Sequence, residues 1–302
     1  MQRIAPPNPG LYYDVPFDVY LSWNCFSSSM VKHCQTGRHL QKYLAEPFIQ
    51  TDDMRLGSLV DCLVLEPDLY ADRFVVFPST YQKKEMKGRG AERKEVVTEK
   101  PFNLNSNTCK QIKAEIDDSG KIPISEKEHV QAETMRASVW NHPKALEFLN
   151  EGKRQVSIVW EDSEIHIMCK GRYDLFVIDD TIIDLKTCQD ASISGFSRTI
   201  SKQGYHVQGA MYSDGYSAVE NIQMPFGFIA VEKGGIFGVS CFDLDADALL
   251  AGRSIYKRAM NNYKQWKEIK GTWPAYSDFQ EPISIPPWAI KQELGDSNHE
   301  FF

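Results

Sequence analysis

The spacing of apolar positions changes character halfway along the chain. In the first half, apolar residues recur at helical intervals. The stretch FSSSMVKHCQTGRHLQKYLAEP (26–47) reads as a first helix, with the Ser27–Ser29 run able to cap it and Pro47 after its end. MRLGSLVDCLVLEPD (54–68) reads as a second, placing Leu56, Leu59, Val60, Leu63 and Val64 on one apolar face and closing at Pro67. RFVVFP (73–78) is a short strand. Residues 79–100 are polar, charged and glycine-containing, and predict a mobile loop. Residues 105–150 carry helical patterns split by DDSGKIPIS. There Ser125 and Glu128 have capping-box spacing, predicting a helix over about 126–140.

In the second half, QVSIVWED, EIHIMCKGRYDLFVID and TIIDLKT are β-rich runs separated by turn residues. Residues 192–219 predict two consecutive helices broken near Gly204. MPFGFIAVEK and GGIFGVSCFDL form a further strand pair joined at Lys233–Gly234, and residues 245–269 a long helix. The tail is proline-rich, then polar. Helices, three strands, helices, two strands and a final helix predict one α/β domain spanning residues 1–302 with a central mixed sheet. A helical layer of about 22–150 precedes a core of about 151–270 and a tail of about 271–302.

Composition narrows the function classes. No apolar run approaches the roughly 20 residues of a membrane span, and the N-terminal residues lack a signal-like apolar region. The seven cysteines are scattered without a CxxC pair, which argues against a disulfide framework or a zinc ribbon. A reduced, cytoplasmic setting is the expectation. The net charge of −7 does not advertise nucleic-acid binding, but a DNA channel needs only local basic residues, and a divalent-cation site needs acids. The stretch Tyr81 to Lys94 is locally basic and reads as a solvated loop or a phosphate-contacting segment.

The chemistry concentrates in GRYDLFVIDDTIIDLKTC (171–188). Strand alternation puts Asp184 and Lys186 on one face and turns Leu185 into the core. If the two runs pair through the intervening turn, Asp174 approaches Asp184. Neighbouring carboxylates repel unless a cation lies between them, and a small set of oxygen ligands suits Mg²⁺ or Mn²⁺. A lysine beside that cation can orient water or stabilise charge on a phosphate, which is a phosphodiester-hydrolysis site in outline. A D-x-K by itself is equally a surface turn. Gln208 and Tyr212, four apart, share a helix face that docking over the sheet would bring beside Lys186. Asp61 is an acid within an otherwise apolar helix: an edge position, or a third carboxylate.

Together these residues resemble the PD-(D/E)xK nuclease superfamily and, within it, the RecE (exonuclease VIII)-type phage recombination exonucleases. GLYYDVPFDVYLSWNCFSSSMV is similar to that family's opening segment, LGSLVDCLVLEP to its second helix, and VWEDSEIHIMCKGRYDLFV to the strands leading to its first metal aspartate. IIDLKT resembles the D-x-K strand, YHVQGAMYSDGY the Q-x-x-x-Y helix, and WPAY…ISIPPWA the tail. The likeness runs from about residue 10 to 290. It implies a restriction-endonuclease-like core in which Asp174, Asp184 and the Leu185 main-chain carbonyl ligate Mg²⁺, with Mn²⁺ as a substitute. Lys186 would activate or position water, and Gln208 and Tyr212 would hold the lysine and the DNA backbone. It further implies degradation of linear double-stranded DNA 5′→3′ from its ends, leaving 3′ overhangs, by a homo-oligomeric ring that serves a single-strand annealing protein.

Two positions depart from the family pattern. Asp61 stands where relatives carry a metal-binding histidine, and Gln155 where they often carry glutamate. Alternative readings are therefore a nuclease of other specificity (an endonuclease or a single-strand exonuclease) and a non-catalytic DNA-end-binding relative. An iron–sulfur nuclease does not fit, because Cys241 stands alone near the C-terminal end.

Overall fold

The computed structural model describes residues 3–46, 49–87, 93–277 and 280–294. Five helices and two strands come first: β1 (Gly10–Tyr12), α1 (Phe17–Ser22), α2 (Ser28–Val31), α3 (Gly37–Ala45), α4 (Asp52–Leu65), α5 (Tyr70–Arg73) and β2 (Phe74–Val76). A hairpin of β3 (Thr80–Lys87) and β4 (Lys94–Pro101) follows, then α6 (Asn107–Asp118), β5 (Ile122–Ile124), α7 (Glu126–Asn141) and α8 (Pro143–Glu151). The second half holds β6 (Lys153–Glu161), β7 (Met168–Val177), β8 (Thr181–Cys188), α9 (Ile193–Gln203), α10 (Tyr205–Glu220), β9 (Phe226–Glu232), β10 (Val239–Asp243), α11 (Ala246–Lys267) and α12 (Pro287–Leu294). No helix among the described residues is long and apolar enough to cross a membrane.

A six-stranded sheet in the order β1-β6-β7-β8-β9-β10 divides two hydrophobic cores. Within this sheet, among the described residues, β8 and β9 are the strand pair that runs parallel, because α9 and α10 carry the chain across one face between them. That face buries Phe226, Phe228 and Ala230 of β9 and Ile182 of β8 against Ala210, Met211 and Tyr212 of α10 and Met260 of α11. The other face buries Ile183, Leu185, Ile229 and Val231 against Leu59, Leu63 and Val64 of α4 and Met135 and Val139 of α7. The alternation of β8 is thereby explained: its odd positions fill one core, and its even positions Asp184 and Lys186 lie on the α10 side. The predicted mixed sheet flanked by helices is what forms.

Local signals hold where a cap or breaker decides. The Ser125–Glu128 capping box forms in both directions, and Gly204 separates α9 from α10 with φ +71°. Three expectations need correction. The first helix is two, because the Thr36 side chain accepts the His39 N–H and starts α3 anew. Pro47 lies outside the described residues. The loop expected at 79–100 is instead the β3–β4 hairpin, whose charged side chains hid the β-branched run Val96, Val97 and Thr98; residues 88–92 lie outside the described set. The DDSGKIPIS break contains β5, which pairs in parallel with β2.

Candidate active site

β7 and β8 pair through Leu175–Ile183, Phe176–Ile182 and Val177–Thr181, and there the ladder ends. The next position of that register sets Asp174 opposite Asp184. Instead of a strand-to-strand bond, the Leu185 N–H donates to Asp174 Oδ2 at 2.8 Å. The strands therefore part at the two acids. β7 also turns over here. Cys169 and Tyr173 belong to the α10 core, whereas Leu175 and Val177 belong to the α4 core. Across from Asp174 on β6, Gln155 has φ +54°, a left-handed conformation that costs a non-glycine residue roughly 1–2 kcal/mol. The break sets the Asp174 carboxylate in the gap between the strands, at the edge of a cavity.

Asp184 is 2% exposed and is held from two sides. Gln208 Nε2 donates to its Oδ1 at 2.6 Å, and the Lys186 ammonium forms an ion pair with its Oδ2. Oδ2 is buried, and no donor other than the lysine reaches it. Tyr212, one turn beyond Gln208, is buried against Gly171, where a Cβ would stand 2.8 Å from its ring. The two α10 residues thus share a face, as their spacing predicts, but address different strands. Gln208 stands beside Lys186 through the Asp184 carboxylate that both hold. The lysine lies 4.9 Å from the Tyr205 ring centroid, a residue the sequence reading passed over. Its signal was available: Tyr205 stands three before Gln208 on the same helix.

A cavity of ≈ 270 Å³ opens beside Asp174. Asp61 and Ser58 of α4, Gln155, Arg172, Tyr212, and Phe17 and Tyr20 of α1 line it. Arg172 was also missed, although Lys170, Arg172 and Asp174 alternate along one strand. Gln155 is engaged by that arginine: Arg172 Nε donates to its amide oxygen at 2.7 Å.

The electrostatics follow from crowding acids in a dry place. Burial raises the Asp174 carboxyl well above the usual range, and Asp184 and Asp61 add to it. Burial likewise pushes Asp61 up to about 7; Lys186 pulls it down, while Asp184 and Glu66 raise it. For Lys186 burial disfavours the charge, but Asp184 and Asp174 outweigh it and hold the ammonium protonated.

Among the described residues, no three His, Cys, Asp or Glu side chains gather as metal ligands. Asp61 lines the same cavity as Asp174, and the charges of Asp61, Asp174 and Asp184 act on one another; protein donors engage Asp174 Oδ2 and Asp184 Oδ1. A hard divalent cation that keeps several waters needs only one or two carboxylates. Asp174 on the cavity wall, with Asp184 opposite it in register, fits such an ion.

Asp61 gives a pH test. Its folded-state pKa lies above the unfolded value, so the folded chain binds the extra proton and loses stability as pH rises from about 4 to about 7. In EDTA, the melting temperature of Asp61→Asn relative to the parent is expected to climb between pH 4 and pH 7.5. A flat difference would remove the buried-acid assignment. Mg²⁺ should raise the parent's melting temperature more at pH 7.5 than at pH 5.

The family model of the PDDEXK-like domain of unknown function (DUF3799) matches residues 27–283, a range that includes Asp61, Asp174, Asp184, Lys186, Gln208 and Tyr212. The chain is similar in fold to a "Putative exonuclease" from Eubacterium rectale known from its crystal structure: TM-score 0.56 at 16% identity, over 90% of this chain and 94% of that one. No curated protein matches.

Proposed function

Because the chain belongs to the PDDEXK-like family DUF3799, we propose that it is a divalent-metal-dependent exonuclease of the RecE type, degrading linear double-stranded DNA 5′→3′ to leave 3′ overhangs. The observation that carries the reading is the convergence on Asp184: Lys186 and Gln208 both hold it, while Asp174 faces it and is fixed by the Leu185 N–H. Structural ion pairs do not require a second, cavity-lining acid opposite the first.

In this reading Asp174 and Asp184, with the Leu185 main-chain carbonyl, hold Mg²⁺ or Mn²⁺, and Asp61 contributes from α4. When bound, such a cation supplies Lewis acidity to the phosphate and makes water a nucleophile near neutral pH. The protein does the rest. Gln208 fixes the Asp184 carboxylate. The Lys186 ammonium, backed by Tyr205, orients the attacking water and neutralises charge developing on the phosphate. Tyr212 closes the cavity wall behind Asp174. Duplex DNA ends are the substrate; a ring of like subunits and a single-strand annealing protein acting on the product belong to the same proposal.

The test is linear duplex labelled at its 5′ or 3′ ends in separate reactions. With Mg²⁺, early release of label from the 5′ ends is expected, with no release in EDTA and none from closed circles. Circles cut as fast as linear duplex would make the protein an endonuclease. Binding to ends without hydrolysis under any divalent metal would make it an end-binding protein.

A further inference from the structure

Three observations meet on the side of β7 that leads to Asp174. First, Lys170 and Arg172 clamp α1 onto the strand at both ends. The buried Lys170 ammonium donates to the carbonyls of Tyr20, Leu21 and Trp23 at 2.8, 3.0 and 2.8 Å. Arg172 Nη1 donates to the Val15 carbonyl at 2.9 Å. Second, the helix so fixed presents a stacked aromatic pair: Phe17 and Tyr20 have ring centroids 6.1 Å apart and planes 23° from parallel. The Arg172 guanidinium stands 5.8 Å from each centroid. Third, both rings line the same cavity as Arg172 and Asp174. Tyr20 is buried, but Phe17 is 51% exposed, a large apolar surface left open at the mouth of a polar cavity.

A ligand matched to this arrangement carries a flat π-face and a negative charge a short distance from it. Arg172 and Asp174 are two apart on the strand, so their backbones are about 7 Å apart, on the scale of one extended nucleotide. Arg172's hydrogen bonds go to neutral acceptors, Gln155 Oε1, the Val15 carbonyl and Ser157 Oγ, so its charge stays available to a phosphate. Across the cavity, Arg73 is instead neutralised by a two-pronged pair with Glu66.

We propose that Phe17, backed by Tyr20 and Arg172, is a stacking platform for the unpaired base at a DNA end whose phosphate is delivered to Asp174. The inference rests on the nuclease reading and adds how the end is gripped: the terminal base leaves its partner and stacks on Phe17, while Arg172 faces the adjoining phosphate. Base–aromatic stacking tolerates all four bases, as a sequence-independent exonuclease requires.

The experiment uses the full chain in EDTA, so nothing turns over. Duplexes carry 2-aminopurine at the 5′ or the 3′ terminal nucleotide. The parent is expected to quench one of the two labels, and the label that responds reports the strand engaged. Phe17→Ala should lose most of that quenching and bind short single-stranded DNA about tenfold more weakly, while Phe17→Tyr restores both. Unchanged quenching and affinity in Phe17→Ala would overturn the platform. So would an effect confined to self-association, seen by sedimentation with quenching intact, because Phe17 would then be a subunit contact. Failure of the nuclease reading shows separately, as Phe17-dependent quenching by a parent that releases no nucleotide under Mg²⁺ or Mn²⁺.

Discussion

Lys186→Ala is expected to lower phosphodiester hydrolysis about a thousandfold, the scale of a positioned proton-transfer or charge-stabilising group. The variant should also separate catalysis from folding. Asp184 is almost fully buried, and its Oδ2 has the lysine as its counter-charge. Removing the partner strands a buried carboxylate, at a cost of about 3 kcal/mol. In EDTA the variant should therefore melt well below the parent. Mg²⁺ should recover much of that loss, since a cation between Asp174 and Asp184 restores the missing positive charge. Activity should not recover with it. A variant with parental rates under Mg²⁺ would remove Lys186 from the reaction.

The second large effect reaches the same lysine from below. Phe228→Ala is expected to cost about 3–5 kcal/mol in unfolding free energy. Its ring is fully buried among Phe196, Phe226 and Tyr205, at centroid distances of 5.5, 5.3 and 6.0 Å. Tyr205 is the ring on which Lys186 rests. The folded fraction of Phe228→Ala should accordingly lose activity. Ile124→Ala, a comparable cavity in the opposite core at β5, should lose stability alone. Denaturant unfolding with parallel rates at 15 °C distinguishes them. Equal activity per folded molecule in both variants would show that Tyr205 needs no support from Phe228.

Much of this site could be read before the fold was known, for reasons visible in particular residues. Strand alternation fixes Asp184 and Lys186 on one face whatever else surrounds them, and helix periodicity does the same for Gln208 and Tyr212. What spacing does not carry is which strand each helical residue meets. Gln208 reaches β8 and Tyr212 packs on β7 because α10 crosses the place where those strands part, a property of the assembled sheet. Arg172 escaped notice because a basic residue in an apolar run has meaning only once α1, more than 150 positions earlier, is laid across it. Asp61 is a different case: it lines the cavity beside Asp174, and an acid on an apolar helix face takes that meaning only once α4 is packed beside β7. Within the fold, capping residues gave boundaries reliably at Ser125 and Gly204. The β3–β4 hairpin was lost because lysine and glutamate on exposed strand faces look the same as a charged loop.

The parting of β7 from β8 makes the central sheet two panels. One is β1-β6-β7 and the other β8-β9-β10, joined by three residue pairs next to the Val177–Thr181 turn and by the single bond from Leu185 to Asp174. Mechanically this is a hinged wedge, pinned at the turn and opening toward the acids. Each panel carries one carboxylate, and α10 lies across both, meeting β6 and β7 of one and β9 of the other. The separation of Asp174 from Asp184 is therefore set by the strand backbone as well as by side-chain rotation, and α10, spanning the wedge, is the element that holds it at one opening.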